Sequence, residues 1–206
     1  MKTSTEGLMA LIAHEGIVKS RYKDSVGVWT IGVGHTKAAG GIDPETFKGE
    51  LTVPQVIDML RTDIVKYERG VLNAVKVPLA QHEFDALVSF HYNTGAIGRA
   101  SFVDKLNRGD RAGAAAGMME WRKPVEIIPR RTAERDLFLS GKYPPPYATV
   151  YPASPAGAVQ WSKGQRVNVR DLLSVVDAPA PKPAEAPKGF LAKLASVFAS
   201  WLTRRN

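Results

Sequence analysis

The 206 residues suffice for one sizeable domain, or one domain with an appendage, and 44% hydrophobic with 23% charged residues is an ordinary globular composition. The 28 Lys and Arg against 20 Asp and Glu leave +8, which favours polyanionic partners such as nucleic acid, an anionic membrane or an acid-decorated cell wall. Cysteine is absent, which excludes disulfides, thiol catalysis and thiolate metal sites and fits a reducing cytoplasm.

The charge is unevenly spread. Residues 1–145 carry 20 basic and 17 acidic side chains, hence +3, whereas residues 146–206 carry 8 and 3, hence +5. No basic–aromatic module marks the core as a nucleic-acid binder, so nucleic acid is not an expected partner. His14, His35, His82 and His91 lack metal-ligand spacing, and no metal or organic cofactor is expected.

In chain order, Thr3 as N-cap with Glu6 predicts a helix over residues 4–15, closed by Gly16 and carrying Glu15 in its last turn. From Tyr22 to Thr36 the residues are β-branched and aromatic, broken by Gly27, Gly32 and Gly34, which predicts a small hairpin or three-stranded sheet. Thr52 and Pro54 open a long helix over 52–77 with Val56, Ile57, Leu60, Ile64 and Tyr67 on one stripe. A second helix follows over 80–92, and shorter ones near 100–107, 109–119 and 131–140. The class is α+β, mostly helical with a small N-terminal sheet.

Pro144–Pro146 end this region, giving a main domain over 1–146. Residues 147–177 form an extension whose packing the sequence does not decide, in which Trp161, Val167, Val169, Leu172, Leu173, Val175 and Val176 either cover the core or build a small unit. Residues 178–187, rich in Pro and Ala, read as a linker. In 188–206, Phe190, Leu191, Leu194, Val197, Phe198, Trp201 and Leu202 fall within about 140° of arc, with Lys193 and Arg204 opposite. That is a cationic amphipathic helix of the kind that lies in a membrane interface, and the same stripe also suits burial on the domain.

Two carboxylates stand out. Glu15 ends a helix, where the negative pole of the macrodipole disfavours the ionised form, and a general acid must hold its proton. Asp24 opens the glycine-rich segment, placed to face Glu15 across a cleft. Thr30 offers a hydroxyl that could orient a water held by Asp24.

The stretch HEGIVKSRYKDSVGVWTIGVGHT resembles the active-site segment of the phage T4-type lysozyme family, glycoside hydrolase family 24. Glu15-Gly16, Tyr22-Lys23-Asp24, Gly27, Thr30-Ile31-Gly32 and Gly34-His35-Thr36 stand in register with its pattern. QHEFDALVSFHYNTG and IIPRRTAERDLF are similar to that family's later helices, so the resemblance covers roughly residues 4–143.

The resemblance implies a two-lobed lysozyme fold whose cleft takes the glycan of bacterial peptidoglycan. It implies hydrolysis of the β-1,4 bond between N-acetylmuramic acid and N-acetylglucosamine, with Glu15 as general acid, Asp24 activating water and Thr30 assisting. Inversion would place the carboxylates on the order of 6.5–9.5 Å apart. Gly32, Arg130 and Arg131 are candidate substrate contacts, the arginines toward peptide-stem carboxylates or else toward acids such as Glu134. His35 is expected to be buried and hydrogen-bonded, and Tyr22 and Trp29 to pack the β unit.

Two rivals stand beside this reading. A lytic transglycosylase would cleave the same bond without water and need only the Glu. Alternatively, the C-terminal helix, through Phe190, Lys193, Leu194, Phe198, Trp201 and Arg204, could itself disrupt membranes or engage anionic outer-membrane lipopolysaccharide. The longest apolar run near the N-terminus, residues 8–13, is too short for a secretory signal. The expectation is therefore a monomer held in the bacterial cytoplasm, released by a holin-type lesion and acting on the wall from the periplasm.

Overall fold

The structure, a computed structural model, describes residues 1–177. The expected linker at 178–187 and amphipathic helix at 188–206 lie outside the described residues.

Helix α1 (Thr5–Glu15) is capped by Ser4, whose Oγ accepts the Gly7 N–H at 2.9 Å. The expected cap, Thr3, instead donates its backbone N–H to Glu68 at 2.7 Å. The choice is tertiary: Asp85 accepts both the Ser4 N–H at 3.0 Å and its hydroxyl at 2.5 Å. Helix α2 (Val53–Ala74) opens with the Thr52–Gln55 capping box and buries Val56, Ile57, Leu60 and Ile64. It stops three residues short of expectation because Asn107 takes over its end, donating to the Ala74 carbonyl at 3.0 Å and accepting from Lys76 N–H at 2.7 Å.

Helix α3 (Gln81–Thr94) runs through the centre, with Phe84, Ala86, Leu87, Val88 and Phe90 essentially without solvent contact. Around it lie α4 (Phe102–Asn107), α5 (Arg111–Met118) and α6 (Ile128–Ser140). The Phe90 ring meets Phe102 and Trp121 edge-on at 4.9 and 5.4 Å between centroids, a favoured aromatic geometry.

The sheet has five strands rather than the two or three expected. Strands β1 (Ile17–Lys23), β2 (Trp29–Gly32) and β3 (His35–Thr36) form the anticipated antiparallel unit. Beyond the prolines, β4 (Tyr147–Tyr151) pairs in parallel with β1, Ile17 opposite Val150 and Val18 opposite Tyr151. Strand β5 (Gln165–Asn168) pairs antiparallel with β4, giving the order β3-β2-β1-β4-β5. Helix α7 (Val169–Asp177) follows, with Val169 and Leu173 buried in the core.

The open question of residues 147–177 thus has a physical answer. Without β4, the second edge of β1 would present unpaired backbone groups. Residues 1–176 form one compact unit, so 146 is not its boundary. Within the segment Tyr147 and Trp161 stay exposed, at 43% and 69%.

Candidate active site

Both candidate acids flank β1. Helix α1 is tied to the helical core by the Ser4–Asp85 contacts and by close packing at Gly7, where a Cβ would lie 2.5 Å from Asp85 Cγ. Its last residue is Glu15. Gly16, at φ +73°, then turns the chain into β1, a backbone conformation other residues adopt only with strain. Its amide donates to the Ile12 carbonyl at 2.9 Å, closing the helix.

Glu15 is half-buried, and its Oε1 accepts from Arg130 Nη1 at 2.6 Å. Arg130 is buried and also donates to Glu134 Oε1 at 2.9 Å and to the Ser89 carbonyl at 3.3 Å. Ser89 Oγ donates to the same Glu134 oxygen at 2.7 Å. Glu134 is held on its other oxygen by Arg131.

Arg131 is 1% exposed, and its guanidinium also reaches Asn93 Oδ1 at 2.8 Å and the Trp121 carbonyl at 3.2 Å. These three partners all belong to the protein itself. Arg130 likewise serves Glu15 and Glu134. The cluster explains a further neighbour: burial, then the charges of Arg130 and Arg131, lower His14 to about 4, so its ring is neutral near pH 7.

At the other end of β1, residues 24–28 form a tight turn. Asp24 N–H donates to the Val28 carbonyl at 3.0 Å, and Gly27, at φ +85°, donates to the Asp24 carbonyl at 3.0 Å. Asp24 Oδ1 accepts from the amides of Val26 at 3.0 Å and Val28 at 2.8 Å. Thr30 is 3% exposed and donates its hydroxyl proton to the Val28 carbonyl at 3.1 Å. Thr30 is therefore joined to Asp24 through the peptide groups of Val28.

The two carboxylates share one property. Each has one oxygen anchored, Glu15 Oε1 by a guanidinium and Asp24 Oδ1 by two amides, while the other has no hydrogen-bond partner among the described residues. They also act on a common neighbour. Burial, then the negative charges of Glu15 and Asp24, push the Tyr22 hydroxyl up to about 12.

Gly32 has a packing reason to be glycine: at φ +70°, a Cβ there would lie 2.5 Å from Met59 Cε, where β2 meets α2. His35 is 3% exposed, with Nδ1 2.7 Å from Asp63 Oδ2 and Nε2 2.8 Å from the Ile42 carbonyl, a buried link between β3 and α2. Trp29 lies under the Arg21 guanidinium at 4.2 Å from its ring centre and packs against Gly157.

Reading the sequence missed Asp63, Asp85 and Ser89, since nothing local singles out a residue whose partner is distant in the chain. It also missed the appended brace. Lys23 N–H, beside Asp24, donates to the Gly157 carbonyl at 2.8 Å, and a Cβ on Gly16, beside Glu15, would sit 3.2 Å from the Thr149 carbonyl. The added segment thus touches β1 at both ends.

A cavity of about 590 Å³ lies between α2 and α4 and contains one carboxylate, Asp104. It lacks a second acid for paired acid–base chemistry. Among the described residues, no group of three or more His, Asp or Glu could hold a metal ion.

The phage lysozyme family profile matches residues 12–134, a span containing both carboxylates, Thr30 and the Arg130–Glu134 cluster. The chain belongs to the phage lysozyme family. It is a peptidoglycan-hydrolysing enzyme of the endolysin type.

The endolysin of Salmonella phage P22 is 34% identical over 148 residues, covering 68% of this chain and 99% of its own length. The endolysin of Bacillus phage PZA is 36% identical over 150 residues, covering 68% of this chain and 56% of its own. The structure of the endolysin from Escherichia coli O157:H7 phage FAHEc1 superposes with a TM-score of 0.65 at 34% identity, covering 70% of this chain and 97% of that one. The α+β fold is thus that of a phage lysozyme, and β4, β5 and α7 follow the segment the family profile matches.

Proposed function

We propose that this lysozyme cleaves the β-1,4 bond between N-acetylmuramic acid and N-acetylglucosamine by inverting hydrolysis, with Glu15 and Asp24 in separate roles. The supporting observation is the pair of half-anchored carboxylates at the two ends of β1, each with an oxygen free to meet substrate or water. Glu15 delivers its proton to the glycosidic oxygen as the bond breaks. Arg130, fixed by Glu134, holds the Glu15 carboxyl in place and attracts the carboxylate left after proton transfer. Asp24 accepts a proton from the attacking water on the opposite face of the sugar, which gives inversion. General acid–base assistance of this kind supplies about 10²–10⁴ in rate per group.

Thr30 acts as a positioning residue. Its buried hydroxyl fixes the Val28 carbonyl, and the Val28 amide fixes Asp24. The enzyme meets its substrate from the periplasmic side after release through a membrane lesion. Among the described residues no helix is long and apolar enough to cross a membrane.

The test is the product. Digestion of purified peptidoglycan in heavy-oxygen water should give reducing ends carrying the label, the α-anomer forming first. Anhydro ends, lighter by one water, would establish transglycosylation instead. An initial β-anomer would remove Asp24 from the role of base.

A further inference from the structure

The appended strands build a groove that the paired-acid chemistry does not use. Two contiguous depressions, of about 420 and 250 Å³, share Ser20, Glu50 and Ala153 and run along β1 on the side where β4 joins it. Their walls carry Lys19, Arg21, Lys48 and Lys163 against a single acid, Glu50.

Lys19 spends its charge on Glu50 at 2.5 Å, and Arg21 lies over Trp29 while donating to the Glu45 carbonyl at 2.5 Å. Lys48 and Lys163 are exposed and have no ion-pair partner among the described residues. The groove therefore keeps a positive excess with two cations free. Around them stand the Ser20 and Ser154 hydroxyls and the Gln165 amide, suited to a chain of alternating amides and carboxylates.

Tyr151 lines the same wall, with Trp161 against it edge-on at 4.9 Å. An indole left 69% exposed beside a charged groove offers an apolar rim that the core does not require. A continuous polyphosphate would meet Glu50 at the point both depressions share. A chain with separated carboxylates could place one at each end, on Lys48 and on Lys163.

We propose that this groove binds the carboxylate-bearing peptide stems of peptidoglycan, so that the appended β4–β5 segment is a second substrate-contact site. The inference rests on the hydrolytic reading above, because peptidoglycan carries its peptides on the sugar whose bond that reading cleaves. The groove lies along the strand flanked by Glu15 and Asp24.

The probe is the soluble stem peptide without sugar, added to the isotope-labelled full chain and followed by backbone amide shifts. Shifts should concentrate at residues 19–21, 48–50, 151–154 and 163–165. The double variant Lys48→Glu, Lys163→Glu should lose them while keeping the rest of the wild-type spectrum. On intact peptidoglycan the same variant should raise KM about five- to tenfold, the loss of two exposed charge contacts.

Shifts elsewhere, no shifts, or stronger shifts at these residues from inorganic polyphosphate would overturn the proposal. The two readings fail separately. A wild-type enzyme that clears no wall sinks the hydrolytic one, whereas active enzyme with a silent groove sinks only this one.

Discussion

The two ends of β1 hold their carboxylates by opposite means. At the start, Glu15 depends on Arg130, which lies 115 residues away and is itself fixed by Glu134 and Ser89. At the finish, Asp24 depends on amides two and four residues ahead in its own turn. The first arrangement exists only when the helical core is assembled, whereas the second needs little beyond the local turn. A proton donor and a water-activating base are thus set by different parts of the molecule, and each can be disturbed without the other.

The largest effect expected from breaking this contrast is at Arg130. Arg130→Ala leaves Glu134 with Arg131 and the Ser89 hydroxyl and removes the Glu15 anchor, which should cost about 3–5 kcal/mol in urea unfolding. Activity should fall even where the variant remains folded. Unchanged stability would mean that the buried cluster is not the support described.

Next comes the brace. Gly157 sits at φ +91°, and a Cβ there would lie 2.6 Å from the Trp29 ring. Gly157→Val should cost about 1–3 kcal/mol and loosen the Lys23 end of β1. Faster hydrogen exchange should then appear at Lys23–Val28 with little change at Glu15. Equal loosening at both ends would erase the distinction between them.

Acid probes the Glu15 end through His14. Its folded value, about 4, lies below the usual 6.5, so between these values the unfolded chain binds more protons. Stability is therefore undiminished by this group above about pH 6.5, declines as pH falls toward 4 and levels off below. The loss should be on the order of 2 kcal/mol, partial exposure having been discounted. Denaturation at pH 7.5 and 4.5 checks this, and His14→Gln should remove that share of the slope.

The smallest structural effect belongs to Asp24→Asn. The amide oxygen still accepts from Val26 and Val28, so stability should change by less than about 1 kcal/mol. A loss as large as that of Arg130→Ala would show that Asp24 is held by more than its turn.

The same contrast explains what could be read in advance. The helices were legible because stripes such as Val56, Ile57, Leu60 and Ile64 repeat at helical spacing, and their positions matched within a few residues. The turn around Asp24 was legible because its determinants, Gly27 and the alternating β residues, are adjacent in sequence. Strands β4 and β5 were not. They are five and four residues long, follow three prolines and have meaning only beside β1, which nothing in their own residues announces. The Arg130–Glu15 contact was hidden for the same reason: the pair Arg130-Arg131 marks a charged helix, and only packing decides which acid each arginine meets.

The central claim is that two separately held carboxylates perform one hydrolysis. Its most direct test is the initial rate of clearing purified peptidoglycan by the wild type, Glu15→Gln and Asp24→Asn, with circular dichroism confirming that each is folded. The account predicts that both variants lose at least about a hundredfold in rate while keeping the wild-type fold. A folded Asp24→Asn enzyme working at the wild-type rate would contradict it.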